Sequence, residues 1–148
     1  MNKHIKTEII INASVKTVWE VLTNFSRYPE WNPFFQSIEG ELITGKKLKN
    51  TMLNGTNKFV FKPVVKSVVP YQSFSWFGSL GIKGIFDGQH FFNLEEIAPA
   101  QVKLTHGEYF SGILSGIILK KIGNDTRANF VKMNEALKQR AEQHIPLS

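Results

Sequence analysis

The chain has 148 residues, 42% hydrophobic and 20% charged, a balance that fits one ordinary soluble domain able to bury a core and leave a hollow in it, and that excludes a disordered chain. It has no cysteine, so disulfides, thiolate metal ligands and a thiol nucleophile are ruled out, and a reducing compartment is compatible. The formal charge of +6 comes from scattered lysines (Lys46, Lys47, Lys49; Lys58, Lys62, Lys66; Lys120, Lys121) without a nucleic-acid motif; they read as solvated faces, with weak attraction to anionic lipid as the sharper alternative.

Residues 4–12 form a β-rich run whose only uninterrupted isoleucines are Ile9 to Ile11, far short of a signal-peptide core. The longest near-apolar stretch, Gly112 to Leu119, is well below the roughly 20 residues that span a bilayer, so the expectation is a cytoplasmic protein without stable membrane insertion. Ser14 is a candidate N-cap for a helix in which Val15, Val18, Trp19, Leu22 and Phe25 recur at helical spacing. In "SRYPEWNPFF" two prolines allow only a helical turn or two, which suits a short helix or lid carrying Trp31. From about Gln36 to Ser111 the pattern is all strand, about six of them, punctuated by Gly and Pro; Pro63 inside one run argues for a sheet edge or bulge. Residues from about Leu114 to Gln143 read as a long amphipathic helix with Leu119, Ile122, Phe130, Met133, Leu137 and Ala141 on one side, kinked or broken at Gly123-Asn124-Asp125. A sheet this wide with one long helix to cover it curls around that helix, and a curled sheet leaves room for an internal cavity.

"EIIINASVKTVWEVLTNFSRYPEWNPF", the many-stranded middle and "HGEYFSGIL…FVKMNEALKQRAE" resemble the polyketide cyclase/dehydrase-like branch of the START/Bet v 1 (SRPBCC) superfamily over nearly the whole chain. The resemblance implies one domain over residues 1–148 with an α+β helix-grip fold. In that fold a curved antiparallel seven-stranded β-sheet wraps around a long C-terminal α-helix, with two short helices after strand 1, and encloses a hydrophobic ligand pocket. It implies no single activity, because the superfamily includes lipid carriers, hormone receptors and aromatic cyclases.

The strand ending in "THGEYFS" raises the chemical question. Counting by twos, its apolar face carries Val102, Leu104, His106, Glu108 and Phe110, and the preceding strand carries Phe86, Gly88, His90, Phe92 and Leu94. A short turn around Pro99 pairs Leu94 with Leu104, Phe92 with His106 and His90 with Glu108; a two-residue slip would bring His90 opposite His106 instead. Either register groups three ionisable side chains on an apolar face, where an unpaired charge is costly. They read as a structural pair, as an anchor for the polar end of a mostly apolar ligand, or as an acid–base couple of the cyclase or dehydratase type. A facial triad of two histidines and a carboxylate is weaker, since no further ligand spacing accompanies it.

The pocket wall is expected to include His106, Trp31, Met52, Phe59, Phe61, Trp76, Phe92, Phe110, Phe130, Met133 and Leu137, each of which also reads as plain core. No phosphate loop, dinucleotide fingerprint or nucleophile elbow is present. The sequence therefore points to a domain that binds a small hydrophobic or amphipathic ligand, lipid- or polyketide-like, without cofactor, metal or nucleic acid. The alternative is a cofactor-independent cyclase or dehydratase using His90 and Glu108. A different class, an interaction module with a closed core, requires Phe92, Trp76 and Phe130 to fill the hollow.

Overall fold

The computed structural model describes residues 3–143. Strand β1 (His4–Ile11) is followed by α1 (Val15–Thr23), a 3-10 turn (Phe25–Arg27) and the single-turn α2 (Tyr28–Trp31). Then come β2 (Phe35–Glu39), β3 (Lys49–Asn54), β4 (Asn57–Phe61), β5 (Val64–Val69), β6 (Ser73–Ser79), β7 (Asp87–Ala98) and β8 (Gln101–Ser111), and last the long helix α3 (Ser115–Gln143).

The fold is α+β, a curved antiparallel wall against a long C-terminal helix, but the expected seven strands in one sheet are not what is found. Among the described residues there are eight, in a five-stranded sheet of order β1-β8-β7-β6-β5 and a three-stranded sheet β2-β3-β4. Proline is the reason. "NKFVFKPVVKSVV" reads as one run, yet Pro63 has no N–H for a ladder, and the chain divides there into β4 of one sheet and β5 at the edge of the other. The two sheets stay joined where Leu48 N–H donates to the Pro63 carbonyl at 2.8 Å and Val65 N–H to the Lys46 carbonyl at 2.9 Å.

Ser14 caps α1, its hydroxyl accepting the Thr17 N–H at 3.1 Å, and Val18 and Leu22 are buried from that helix. Asn32 launches β2: its Oδ1 accepts the N–H groups of Phe34 and Phe35, each at 2.9 Å. Strands β7 and β8 form the longest hairpin, turning through Pro99 and Ala100, the latter at φ 55°. A register shift between Glu96 and Ala98 leaves the rest of the hairpin paired as His90 with Glu108, Phe92 with His106 and Leu94 with Leu104.

Helix α3 lies across β1 and β8 with Phe130, Met133, Asn134, Leu137 and Ala141 buried. It is not broken at Gly123-Asn124-Asp125 but runs continuously for 29 residues. A single glycine weakens a helix by only about 1 kcal/mol, which the packing on both sides of it outweighs.

Gly123 is thus a mid-helix glycine without a packing role, and a Cβ built there meets nothing within 4 Å. Gly123→Ala is expected to stabilise the fold by about 0.5–1 kcal/mol, read as a rise of roughly 2–4 °C in Tm; a fall in Tm would show that the helix depends on that glycine.

Candidate functional site

The inward faces of four elements converge on one buried chain of hydrogen bonds. On β1 the Thr7 hydroxyl donates to the His106 carbonyl at 2.7 Å and accepts from Asn134 Nδ2 of α3 at 2.8 Å. Asn134 Oδ1 faces His106 Nδ1 at 2.8 Å, His106 Nε2 faces His90 Nε2 at 2.7 Å, and His90 Nδ1 faces Glu108 Oε1 at 3.2 Å. Thr7, His90, His106 and Asn134 are all buried, and the Glu108 side chain is 21% exposed.

The direction of every bond follows from the backbone end. A carbonyl only accepts, so the Thr7 proton points at His106 O and the Thr7 oxygen accepts from the Asn134 amide nitrogen. Asn134 Oδ1 therefore accepts from His106 Nδ1–H, which leaves His106 Nε2 a lone pair. His90 must then donate from Nε2, and a neutral His90 presents a lone pair at Nδ1. The carboxyl opposite that lone pair has to carry a proton, so Glu108 Oε1–H donates to His90. Moving this one proton onto His90, or through His90 onto His106, also satisfies each contact, as an ion pair with the same net charge. The site thus holds one shareable proton among Glu108, His90 and His106, carried by Glu108 when both histidines are neutral.

Burial acts in the same sense. Desolvation pushes the Glu108 carboxyl up to about 8 and pulls the His90 imidazole down to about 3. His106 is held well below its ordinary value, first by desolvation and then by the neighbouring His90, with the Asn134 hydrogen bond opposing. Stacking fixes the rings. His106 lies between Phe130 (4.3 Å, 14°) and Phe92 (4.3 Å, 25°), and His90 stacks on Trp76 (5.2 Å, 17°). Gly88 makes room for the acid, since a Cβ there would collide with Glu108 Oε2.

Beyond Glu108 lies a mostly apolar cavity of about 390 Å³, bounded by β3 and β4, by β6 to β8, and by the first half of α3. Of the residues expected in its wall, Met52, Phe59, Phe61, Trp76, Phe110, His90 and Glu108 are there. His106, Phe92, Phe130, Met133 and Leu137 are not: they are buried behind the wall, Phe92 and Phe130 clamping His106. Trp31 is absent from the wall as well. The single turn of α2 sets its ring edge-on against Tyr28 (5.0 Å, 70°), half-buried and packed against the core. With Phe92 and Phe130 in the core and Trp76 at the margin, the hollow remains open, which removes the basis for a closed interaction module.

Sequence reasoning missed Thr7, Asn134 and Asn50. Thr7 interrupts the inward series Ile5, Ile9, Ile11, and Asn134 interrupts Phe130, Leu137, Ala141, so both carry the signal that singled out the histidines, a polar residue in an apolar stripe. Asn50 lies in the cavity wall, and its Oδ1 is buried without a hydrogen-bond partner among the described residues. Among those residues no group of three or more ionisable side chains is arranged to hold a metal ion.

The family model described as polyketide cyclase / dehydrase and lipid transport matches residues 3–142. No curated protein is similar enough in sequence to match. Among solved structures, the Zhui aromatase/cyclase from Streptomyces sp. R1128 superposes with a TM-score of 0.77 at 15% identity, covering 95% of this chain and 93% of that one. A hypothetical protein from Helicobacter pylori gives 0.78 at 14% (95% and 89% covered), and a START superfamily protein from Mycobacterium smegmatis 0.71 at 18% (95% and 97%). At these identities the likeness is one of fold.

The shared proton makes stability depend on pH with a definite sign. Between pH 3 and 6.5 the unfolded chain takes up a proton that folded His90 refuses, so stability rises with pH; between 4.5 and 8 folded Glu108 keeps a proton that the unfolded chain loses, so stability falls. His106 adds to the rise, which places the optimum near pH 6.5. Glu108→Gln supplies the same donor to His90 Nδ1 and cannot ionise. It is expected to melt within a few degrees of the wild type at pH 6 and to abolish the fall above pH 6.5, a slope of about 1.4 kcal/mol per pH unit. Parallel alkaline declines in the two proteins would place the ionisation elsewhere.

Proposed function

The chain belongs to the polyketide cyclase / dehydrase and lipid transport family, and we propose that it binds one small, largely apolar, hydroxyl-bearing molecule of lipid- or polyketide-like character in the cavity. The observation that carries this reading is a mostly apolar cavity of about 390 Å³ with Asn50 in its wall, whose Oδ1 is buried without a partner among the described residues. That volume lies within the range of small-molecule pockets, and an orphaned acceptor is costly unless something donates to it. Glu108 adds a second acceptor. Its Oε1 proton is directed at His90, so Oε2, above Gly88 in the same wall, offers lone pairs. Two acceptors in an apolar chamber select a phenol, enol or alcohol and disfavour a carboxylate, which has no proton to give and would carry a buried charge.

Acid–base catalysis of the cyclase or dehydratase type is the second reading. What favours it is the Glu108 carboxyl poised at about 8, near a working pH. What opposes it is the far end of the chain: Asn134 is an amide and passes no proton onward, and protonating both buried histidines is costly. The network suits holding a proton better than moving one.

Titration of 2-naphthol against naphthalene, followed by calorimetry and Trp fluorescence, tests the reading. Naphthol is expected to bind about three- to tenfold tighter, an advantage kept in Glu108→Gln, whose amide oxygen still accepts, and reduced in Glu108→Met and Asn50→Leu. Equal affinity for the two in all proteins, or none for either, would defeat the anchored-ligand reading. Catalysis predicts instead that Glu108→Gln binds normally and turns over about 10²–10⁴ times more slowly.

A further inference from the structure

Among the described residues the three most exposed large hydrophobic side chains are Ile113 (78%), Ile82 (76%) and Ile117 (70%). They share one place. The turn from Ile82 to Ile85 is hydrogen-bonded to the start of α3, with Ile113 N–H donating to Gly84 O and Leu114 N–H to Ile85 O, each at 3.0 Å, and Ile117 follows one helical turn later. The same place borders the cavity mouth: Leu80 and Phe59, 49% and 44% exposed, belong to its wall, as do Ile118 and Ile122 on the neighbouring face of α3.

The exposed charge flanking it in sequence is of one sign; the Asp87 carboxylate, which accepts the Gly84 N–H at 2.9 Å, is buried. From Leu42 to Phe86 the sequence has seven lysines and no aspartate or glutamate, while the rest of the chain carries 11 Lys and Arg against 12 Asp and Glu. Lys66 and Lys83 both reach the Phe77 ring, at 5.7 and 5.9 Å. Lys120 and Lys121 lie three and four residues beyond Ile117, in a stretch from Tyr109 to Asn124 that is also free of carboxylates.

We propose that this end of the molecule, Ile82, Ile113 and Ile117 ringed by Lys83, Lys120 and Lys121, is a docking face for an anionic lipid bilayer, which seats the cavity mouth at the membrane surface. Isoleucines exposed by 70% or more protrude singly, as side chains that enter a headgroup layer do, and do not line a groove made for a partner helix or strand. The lysines supply the second, electrostatic signal that peripheral attachment needs. Attachment is peripheral because no helix of the described residues is long and apolar enough to cross a membrane. The consequence for the cavity is a route by which an apolar molecule enters without crossing water.

Co-sedimentation of the purified full chain with vesicles tests the face independently of what the cavity holds. Vesicles of phosphatidylcholine with 30% phosphatidylglycerol are expected to bind it about tenfold or more better than phosphatidylcholine alone, with the excess lost at high salt. Ile113→Ser/Ile117→Ser and Lys120→Glu/Lys121→Glu are each expected to lower binding about tenfold with Tm unchanged, as their exposure requires; Ile82→Ser serves as a second apolar probe. The proposal is overturned if neither vesicle sediments the protein, or if the isoleucine variants bind as the wild type does. It is overturned equally if vesicles fail while polyglutamate binds through the same lysines, which would make the partner an acidic macromolecule.

Discussion

Everything in the inner half of this molecule is arranged around a buried chain of polar groups that closes only if four elements stand in one relation. Thr7 on β1, His90 on β7, His106 on β8 and Asn134 on α3 each contribute at least one donor or acceptor that would otherwise be stranded away from water. Each stranded group costs about 1–3 kcal/mol, so a misplaced element loses several times what a correct one gains per bond. A one-residue slip of β8 against β7 would turn His106 and Glu108 outward, and a quarter turn of α3 would carry Asn134 away from both His106 and Thr7. The chain therefore sets the hairpin register and the rotation of the long helix together, a specificity that close-packed apolar side chains alone supply less sharply.

The aromatic residues follow from that arrangement. A neutral imidazole in a dry interior is held better by flat faces than by further polar partners, and Phe92, Phe130 and Trp76 provide them. Phe130 thereby marks a division in α3. From Phe130 to Ala141 the inward stripe is solid core; before it, Ile118, Ile122, Thr126 and Asn129 face the hollow, and the strands opposite, β3 and β4, lie in the smaller sheet. The cavity exists because the larger sheet is packed down on the second half of the helix and the smaller sheet is held off the first half, its backbone hydrogen-bonded to the larger sheet through residues 45–48 beside Pro63.

What the sequence disclosed divides along the same physical line. Alternation was sufficient for the inward face of β7 and β8, since burying Leu94, Phe92 and Leu104 leaves one choice of face, while between the Pro99-centred register and its two-residue slip the structure selects the former; a cap such as Ser14 is written locally. Pro63 was legible as an interruption, but whether an interruption bends a strand or divides two sheets depends on partners distant in sequence. Gly123 shows the converse, a local helix weakness overridden by packing that no local window contains. In the site, inward direction was readable for His90, His106 and Glu108, whereas depth was not: strand alternation and helical spacing say which way Phe92 and Phe130 point, and only the packed structure says that His90 lines the hollow while they lie behind it around His106. Thr7 and Asn134 were visible as polar breaks in apolar stripes, yet their roles emerge only when three separate elements meet.

The interior and the surface then select a ligand by different means. The hydrogen-bond chain adds no net charge to the cavity, because its one mobile proton stays among Glu108, His90 and His106 whichever atom carries it. A ligand inside is therefore discriminated by shape and by hydroxyl donors, interactions that salt hardly alters. Outside, the lysine-rich stretch from Leu42 to Phe86 attracts anions over about a Debye length and is salt-sensitive. Were Glu108 ionised and His90 neutral, these lysines would lie near an interior anion and the two selections would be coupled. With the proton retained they are separable: the surface governs where the mouth is presented, and the wall governs what stays inside.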